Sequence, residues 1–128
     1  MFVSHSTLDR GFVEDELVPF LNRHGIRTWC SGDGIESASQ WERSIRTALN
    51  ACDWFLVVMT QHALGSRWVR AEVHWAMEHR AERFVPLLVE DCDWSELHLM
   101  IQTIQCAHYQ ARSSADKPNK GLYLCMDQ

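Results

Sequence analysis

Trp54-Phe55-Leu56-Val57-Val58-Met59-Thr60 is the stretch on which the fold turns. It is an unbroken apolar run of strand length, without polar alternation. A half-buried strand alternates, so this run predicts a strand covered on both faces, as in a parallel sheet. Working outward, Phe84-Val85-Pro86-Leu87-Leu88-Val89 is a second apolar run. Pro86 lacks an N–H to donate, which predicts an edge or a strand start there. Ile26-Arg27-Thr28-Trp29 and Phe2-Val3-Ser4-His5-Ser6 are shorter strands, and Ile104 to Tyr109 is a weak fifth.

Helical spacing fills the intervals. Asp9 can cap a helix carrying Phe12, Val13, Leu17, Phe20 and Leu21. Pro19 predicts a kink or a helix in two pieces, because an interior proline costs about 3 kcal/mol. His24-Gly25 ends it, with glycine free to turn left-handed. Ser39 with Glu42 fits a capping box ahead of Trp41, Ile45, Ala48, Leu49 and Cys52. Ser66 caps a third helix that ends near Arg80, and Trp94 to Met100 suggests a short fourth. Ser31-Gly32-Asp33-Gly34 marks a loop, Glu90 to Asp93 is acidic loop, and Leu122 to Met126 is a last apolar run.

Strands alternating with helices imply right-handed crossovers onto a parallel sheet. The expected fold is α/β: a flavodoxin-like open parallel β-sheet of about five strands with helices on both faces. Ligands on such sheets bind outside the carboxyl ends of the strands. Here those ends are followed by Ser4–Asp9, Cys30–Ala38, Thr60–Trp68 and Glu90–Asp93. The third helix starts at the same edge. Its Trp68 and Glu72 are four apart, so ring and carboxylate share a stripe with Trp75 and His79. Val69, Val73, Ala76 and Met77 form the adjacent apolar stripe. An exposed helix carboxylate, pairing with Arg67 or Arg70, is the ordinary reading of Glu72 on spacing alone.

Composition narrows the class. The 128 residues suit one domain, and 46% hydrophobic with 23% charged residues is ordinary for a globular protein. A net charge of −5 argues against a nucleic-acid surface. No run is long enough to span a bilayer and no signal peptide opens the chain, which makes the cytoplasm the expected compartment and membrane partners unexpected. The five cysteines are widely spaced with no C-x-x-C, and His74 and His79 are five apart, so neither disulfides nor a metal site is expected. There is no G-x-G-x-x-G, Walker A or G-x-S-x-G pattern. Ser4, His5, Ser6 and Asp9 hold the ingredients of a triad, but sequence neighbours rarely adopt triad geometry.

One carboxylate and one ring suffice for a different chemistry. Cleaving an N-glycosidic bond to a cationic base needs no acid, because the base departs neutral. The oxocarbenium-like transition state can be stabilised by a single carboxylate, and an aromatic ring can stack on the departing base.

The residues just described resemble a TIR domain (Toll/interleukin-1 receptor homology). Phe-Val-Ser-His-Ser (2–6) is similar to the family's first box, and Trp29 to Glu36 to its second strand and BB loop. Trp41-x-x-x-Ile45-x-x-Ala48-Leu49, Trp54 to Thr60 and Phe84-Val85-Pro86-Leu87 follow in family order. Ser66-x-Trp68-x-x-x-Glu72 resembles the S-x-W-x-x-x-E signature. The resemblance runs from Phe2 to about Tyr109, with 1–110 as the TIR domain and 111–128 as a C-terminal loop and partial last element of it. It is nearest to bacterial members that hydrolyse NAD+.

That resemblance implies Glu72 as the catalytic residue. It implies Phe2, Ser4, His5, Ser6, Arg10, Gly34, Ile35 and Trp68 as substrate-binding candidates. It implies NAD+ as substrate, with no cofactor and no metal. The products would be nicotinamide and ADP-ribose or a cyclic isomer. It further implies activation by self-association through TIR–TIR contacts including the BB loop (Cys30 to Ala38), a role in bacterial immune defence or signalling, and an attached sensor domain or partner protein. A non-catalytic TIR interaction module and a deoxyribosyltransferase-like nucleoside enzyme are the alternatives.

Overall fold

The computed structural model describes residues 1–30, 38–104 and 106–109, with the side chains of 38–42, 94, 99 and 102 left aside. The BB-loop positions Gly34 and Ile35, the Trp41 side chain and the segment 111–128 lie outside this set.

β1 (Phe2–Ser4) is buried throughout. Ser6, not Asp9, caps the turn that follows, accepting from Leu8 N–H at 3.2 Å. The Asp9 carboxylate is engaged elsewhere: Thr60 Oγ1 donates to it at 2.5 Å. α1 (Arg10–Phe12) passes through a π-helical turn, Val13–Leu17, into α2 (Val18–Arg23). Pro19 therefore breaks nothing. Val18 N–H reaches back to Val13 O, and the missing proline donor falls where the wider ladder returns to α register. Gly25 then turns the chain at φ +77°.

β2 (Trp29–Cys30) starts later than Ile26, because Ile26 N–H is still bonded to Leu21 O, whereas Trp29 N–H reaches Met1 O. α3 (Ala38–Ala51) already contains Ser39 within its first turn, which displaces the expected capping box. β3 (Phe55–Met59) is buried at every position, as its unalternating sequence predicts. The loop expected after it holds a short helix, α4 (Gln61–Leu64), capped by Thr60 Oγ1 accepting from Ala63 N–H. α5 (Arg67–His79) is capped by Ser66. β4 (Phe84–Leu88) follows. The helix expected near Trp94 is two 3₁₀ turns, Trp94–Glu96 and Leu99–Thr103, and β5 (Ala107–His108) closes the sheet.

All pairings are parallel, in the order β2-β1-β3-β4-β5, the expected flavodoxin-like arrangement. Pro86 thus lies in an interior strand. Leu88 C=O accepts from Tyr109 N–H of the β5 side, so Pro86, of the same parity, also points its nitrogen that way. Pairing with β5 begins only at Leu87, one residue later, and no partner is deprived of a donor.

Strand alternation splits the core. Phe2, Phe55, Val57, Met59 and Phe84 pack with Ile45 and Leu49 of α3 and Val69, Val73 and Ala76 of α5. Val3, Leu56, Val58, Leu87 and Ala107 pack with Val13, Leu17 and Leu21 on the other side. On the first face Trp29, Phe2, Phe55 and Phe84 stand in register on four strands. Successive ring centroids are 5.1, 5.4 and 5.2 Å apart, all stacked. Among the described residues no helix is long and apolar enough to cross a membrane.

Gly25 tests the hairpin from α2 into β2. A Cβ there would meet nothing within 4 Å, so only the positive φ opposes a side chain. Gly25→Ala is expected to cost about 1 kcal/mol in urea denaturation, with an unchanged m-value.

Candidate active site

The ligand edge is laced by side chains. Asp9, from the loop after β1, accepts from Thr60 after β3. Glu90 Oε1, after β4, accepts from Gln61 N–H at 2.6 Å, and Gln61 Nε2 donates to Asp91 O at 2.8 Å. Three of the four loops expected at this edge are thereby tied together at the start of α4.

From that edge α5 runs back across the sheet beside α3. Val69, Glu72, Val73 and Ala76 are its buried positions. Glu72 thus belongs to the packing face and is not the solvated carboxylate that spacing alone suggests. Neither arginine offered as its partner serves: Arg70 donates to Leu64 O through Nε and Nη2 (2.9 and 2.6 Å). Only 2% of Glu72 is exposed, and neither carboxyl oxygen has a hydrogen-bond partner among the described residues. Burial alone raises its pKa from 4.5 to about 8. An uncompensated buried carboxyl is costly as an ion, so it holds its proton.

A cavity of about 410 Å³ opens beside it. Ile45, Arg46, Leu49 and Asn50 of α3 form one wall, and Trp68, Ala71, Glu72 and Trp75 of α5 the other. Trp68 keeps 47% of its surface exposed at the mouth. Trp75 packs: its ring stacks on His79 at 4.7 Å, and the Arg80 guanidinium lies 5.2 Å above it. Arg80 also donates to Cys52 O (3.1 Å) and Asn50 O (3.2 Å), tying the end of α3 to α5. A second hollow, about 360 Å³, surrounds this brace at the opposite edge, where acidic and basic groups mix.

Of the residues expected to bind substrate, Trp68 joins Glu72 in the cavity wall. Phe2, Ser4, His5, Ser6 and Arg10 are not among its described walls. Phe2 is wholly buried within the aromatic row. Ser4 is fully buried on the same sheet face as Phe2, and its Oγ has no partner among the described residues. His5 is buried with Nδ1 3.4 Å from Val3 O, and burial lowers its pKa against that hydrogen bond. Ser6 caps a turn, and Arg10 pairs with Glu14 at 3.1 Å on the surface. Ile45 and Leu49, read in the sequence as helix core, and Arg46 also line the cavity. Nothing local in the sequence distinguishes a core-facing position from one beside a void.

Trp68 and the buried Glu72 carboxyl thus line one wall of a cavity between α5 and α3. The profile of the TIR domain family matches residues 1–122. The chain belongs to the TIR domain family. No curated protein matches it. This TIR domain is similar in fold to the crystal structure of the TIR domain of the Toll-related receptor TRR-2 from Hydra magnipapillata. The TM-score is 0.63 at 21% identity, over 72% of this chain and 71% of that one.

The Glu72 carboxyl makes stability fall with pH. Its folded pKa is raised, so the unfolded chain releases the proton first. The stabilisation is complete below 4.5 and is lost as pH rises towards about 8. The loss is about 1.4 kcal/mol per pH unit across that window. Glu72→Gln should remove this slope and be the more stable protein at pH 8. Urea titrations of both proteins from pH 5 to 8.5 check it, the difference between them cancelling His5 and other groups.

Proposed function

We propose that this TIR domain is an NAD+ glycohydrolase with Glu72 as its catalytic carboxylate. The observation that carries the proposal is the unpartnered Glu72 carboxyl, buried in the wall of a cavity that it shares with Trp68. Such a group is costly to the fold, and a desolvated carboxyl beside a cavity is a candidate for chemistry.

The chemistry follows from the charges. The nicotinamide ring of NAD+ is cationic, and its approach favours the ionised form of Glu72. The bond between ribose C1′ and the ring nitrogen breaks, and its electron pair neutralises the pyridinium. Positive charge then spreads over C1′ and the ring oxygen of the ribose. A carboxylate in apolar surroundings stabilises that charge more strongly than one in water. Water adds to C1′ and loses a proton to the carboxylate, giving ADP-ribose; attack by the adenine of the same molecule would give a cyclic isomer. Trp68 offers a ring at the mouth on which the nicotinamide can stack.

Self-association is part of this reading. Trp68 and Leu8, at 47% and 73% exposure, present apolar surface at the same edge of the sheet. A second copy covering that edge, with the BB loop at the contact, would exclude water from the cavity. The role would be bacterial immune defence or signalling, in a cytoplasmic protein with a sensor domain or partner as trigger. The same exposed edge also supports the second reading, a TIR module that binds without turning substrate over. The receptor affiliation of the Hydra structure is a property of that protein.

NAD+ incubated with concentrated protein should release nicotinamide. Glu72→Ala should lower the rate by at least about 10²-fold. Absence of nicotinamide over a concentration series that drives assembly would leave the interaction module as the function, and competition by free nucleosides but not by NAD+ would favour a nucleoside enzyme.

Two further outcomes follow from the same site. The limb of kcat/KM should rise with pH towards about 8, the pKa of the empty site, while the limb of kcat lies lower because bound cation favours the carboxylate. Trp68→Ala should raise KM about tenfold, the equivalent of one lost base-stacking contact.

A further inference from the structure

Among the described residues two buried polar side chains are orphaned, and they belong to one layer. Among the described residues, buried side-chain atoms without a hydrogen-bond partner are Ser4 Oγ and the two carboxyl oxygens of Glu72. Ser4 is 0% exposed and Glu72 is 2% exposed. An orphaned buried hydroxyl or carboxyl costs about 1–3 kcal/mol, and native folds satisfy nearly all such groups.

Topology brings the two onto the same side of the sheet. Ser4 ends β1 and is of the same parity as Phe2, which packs with Val69, Val73 and Ala76 of α5. Its register partner on β3, Val57, lies in that same cluster. Val3, of opposite parity, is in the other cluster. Glu72 stands between Val69 and Val73 on the buried face of α5, in the half of the helix that begins at the strands' carboxyl ends. Ser4 is the last residue of β1, at those same ends. The groove between α3 and α5 brings solvent to the Glu72 side of this layer.

We propose that Ser4 is the positioning residue of Glu72, acting through a water molecule held between Ser4 Oγ and the Glu72 carboxyl. A buried water requires room and polar partners; the cavity opens beside Glu72, and Glu72 and Ser4 offer polar atoms without partners among the described residues. While Glu72 keeps its proton, the acid donates to the water and the water to Ser4 Oγ. When Glu72 ionises, the serine hydroxyl rotates, Ser4 donates to the water and the water donates to the carboxylate. Serine suits this task because one hydroxyl both donates and accepts. The bridge favours the charged form and fixes where the carboxylate points. Among the described residues, other groups that could act on Glu72 are few. β1 and β3 face it with Phe2, Phe55, Val57 and Met59, α3 contributes Arg46 on the cavity wall, and His5 follows Ser4.

The proposal rests on the NAD+-hydrolase reading only for its consequence in catalysis, because the bridge itself exists in the unliganded domain. The test is therefore made without substrate. The Glu72 side-chain carboxyl, assigned by its loss in Glu72→Gln, is titrated by carbon NMR in the wild-type chain, Ser4→Ala and Ser4→Thr. The expected result is a Ser4→Ala midpoint raised by about half a unit to one unit, a three- to tenfold weaker acid. Ser4→Thr, which keeps the hydroxyl, should titrate close to the wild type. An unmoved midpoint in Ser4→Ala overturns the proposal, since an isolated buried serine would change stability without touching Glu72. An equal displacement in Ser4→Thr also overturns it, because packing and not the hydroxyl would then be the cause. If nicotinamide release is detected, the kcat/KM limb of Ser4→Ala should move by the same amount. Its absence would speak against the hydrolase and leave the titration result standing.

Discussion

A row of four aromatic rings holds the sheet in register, and the site depends on that register. Trp29, Phe2, Phe55 and Phe84 stack from β2 across β1 and β3 to β4. A slip of one residue on any strand would break the row and send each apolar side chain to the wrong face. Because the rings fix where each strand begins, they also fix where it ends. Ser4, Thr60 and Glu90 then come level, close enough for Asp9 to bond Thr60 and Glu90 to bond Gln61. The lacing anchors α4, and Ser66 then caps α5, which carries Trp68 and Glu72.

Against this laced frame, Glu72 and Ser4 stand out. Many polar groups around them find partners: Arg80 caps the carbonyls at the end of α3, Arg70 donates to Leu64 O of α4, and Tyr109 donates to Glu16 to tie β5 to the helix of the first crossover. Glu72 has none among the described residues, and its helix buries it between valines. Folding energetics alone would favour glutamine or leucine at this position. A carboxyl held there costs stability, as groups at functional sites commonly do.

Sequence reading went furthest where a pattern has one cause. The unalternating β3, the Ser66 cap and the Gly25 turn are local in origin, and the structure has them where the sequence placed them. It fell short where two local tendencies compete. Asp9 could cap a helix, but Ser6 took that role and Asp9 bonded Thr60, 51 residues away. Ser39 had a capping pattern, yet the helix begins before it. Pro19 and Pro86 both read as interruptions. Each is accommodated by backbone geometry, a π turn in one case and a missing neighbour in the other, that no residue-by-residue preference contains.

The sequence by itself determined the α/β class, the strand order and the pairing of Trp68 with Glu72 on one side of one helix. Those follow from periodicity and from the handedness of crossovers, which are properties of short stretches. Only the tertiary structure decided that Glu72 is buried, that α3 supplies the opposite wall of its cavity, and that Ser4 lies orphaned in the same layer. Burial and charge state are set by what packs against a side chain, and α3 and β1 reach Glu72 from far along the chain. A glutamate at the border of an apolar stripe is solvated or desolvated according to how closely the neighbouring helix leans on it. That distance is written in the packing of Ile45 and Leu49 against α5, not in the spacing of residues 68 and 72.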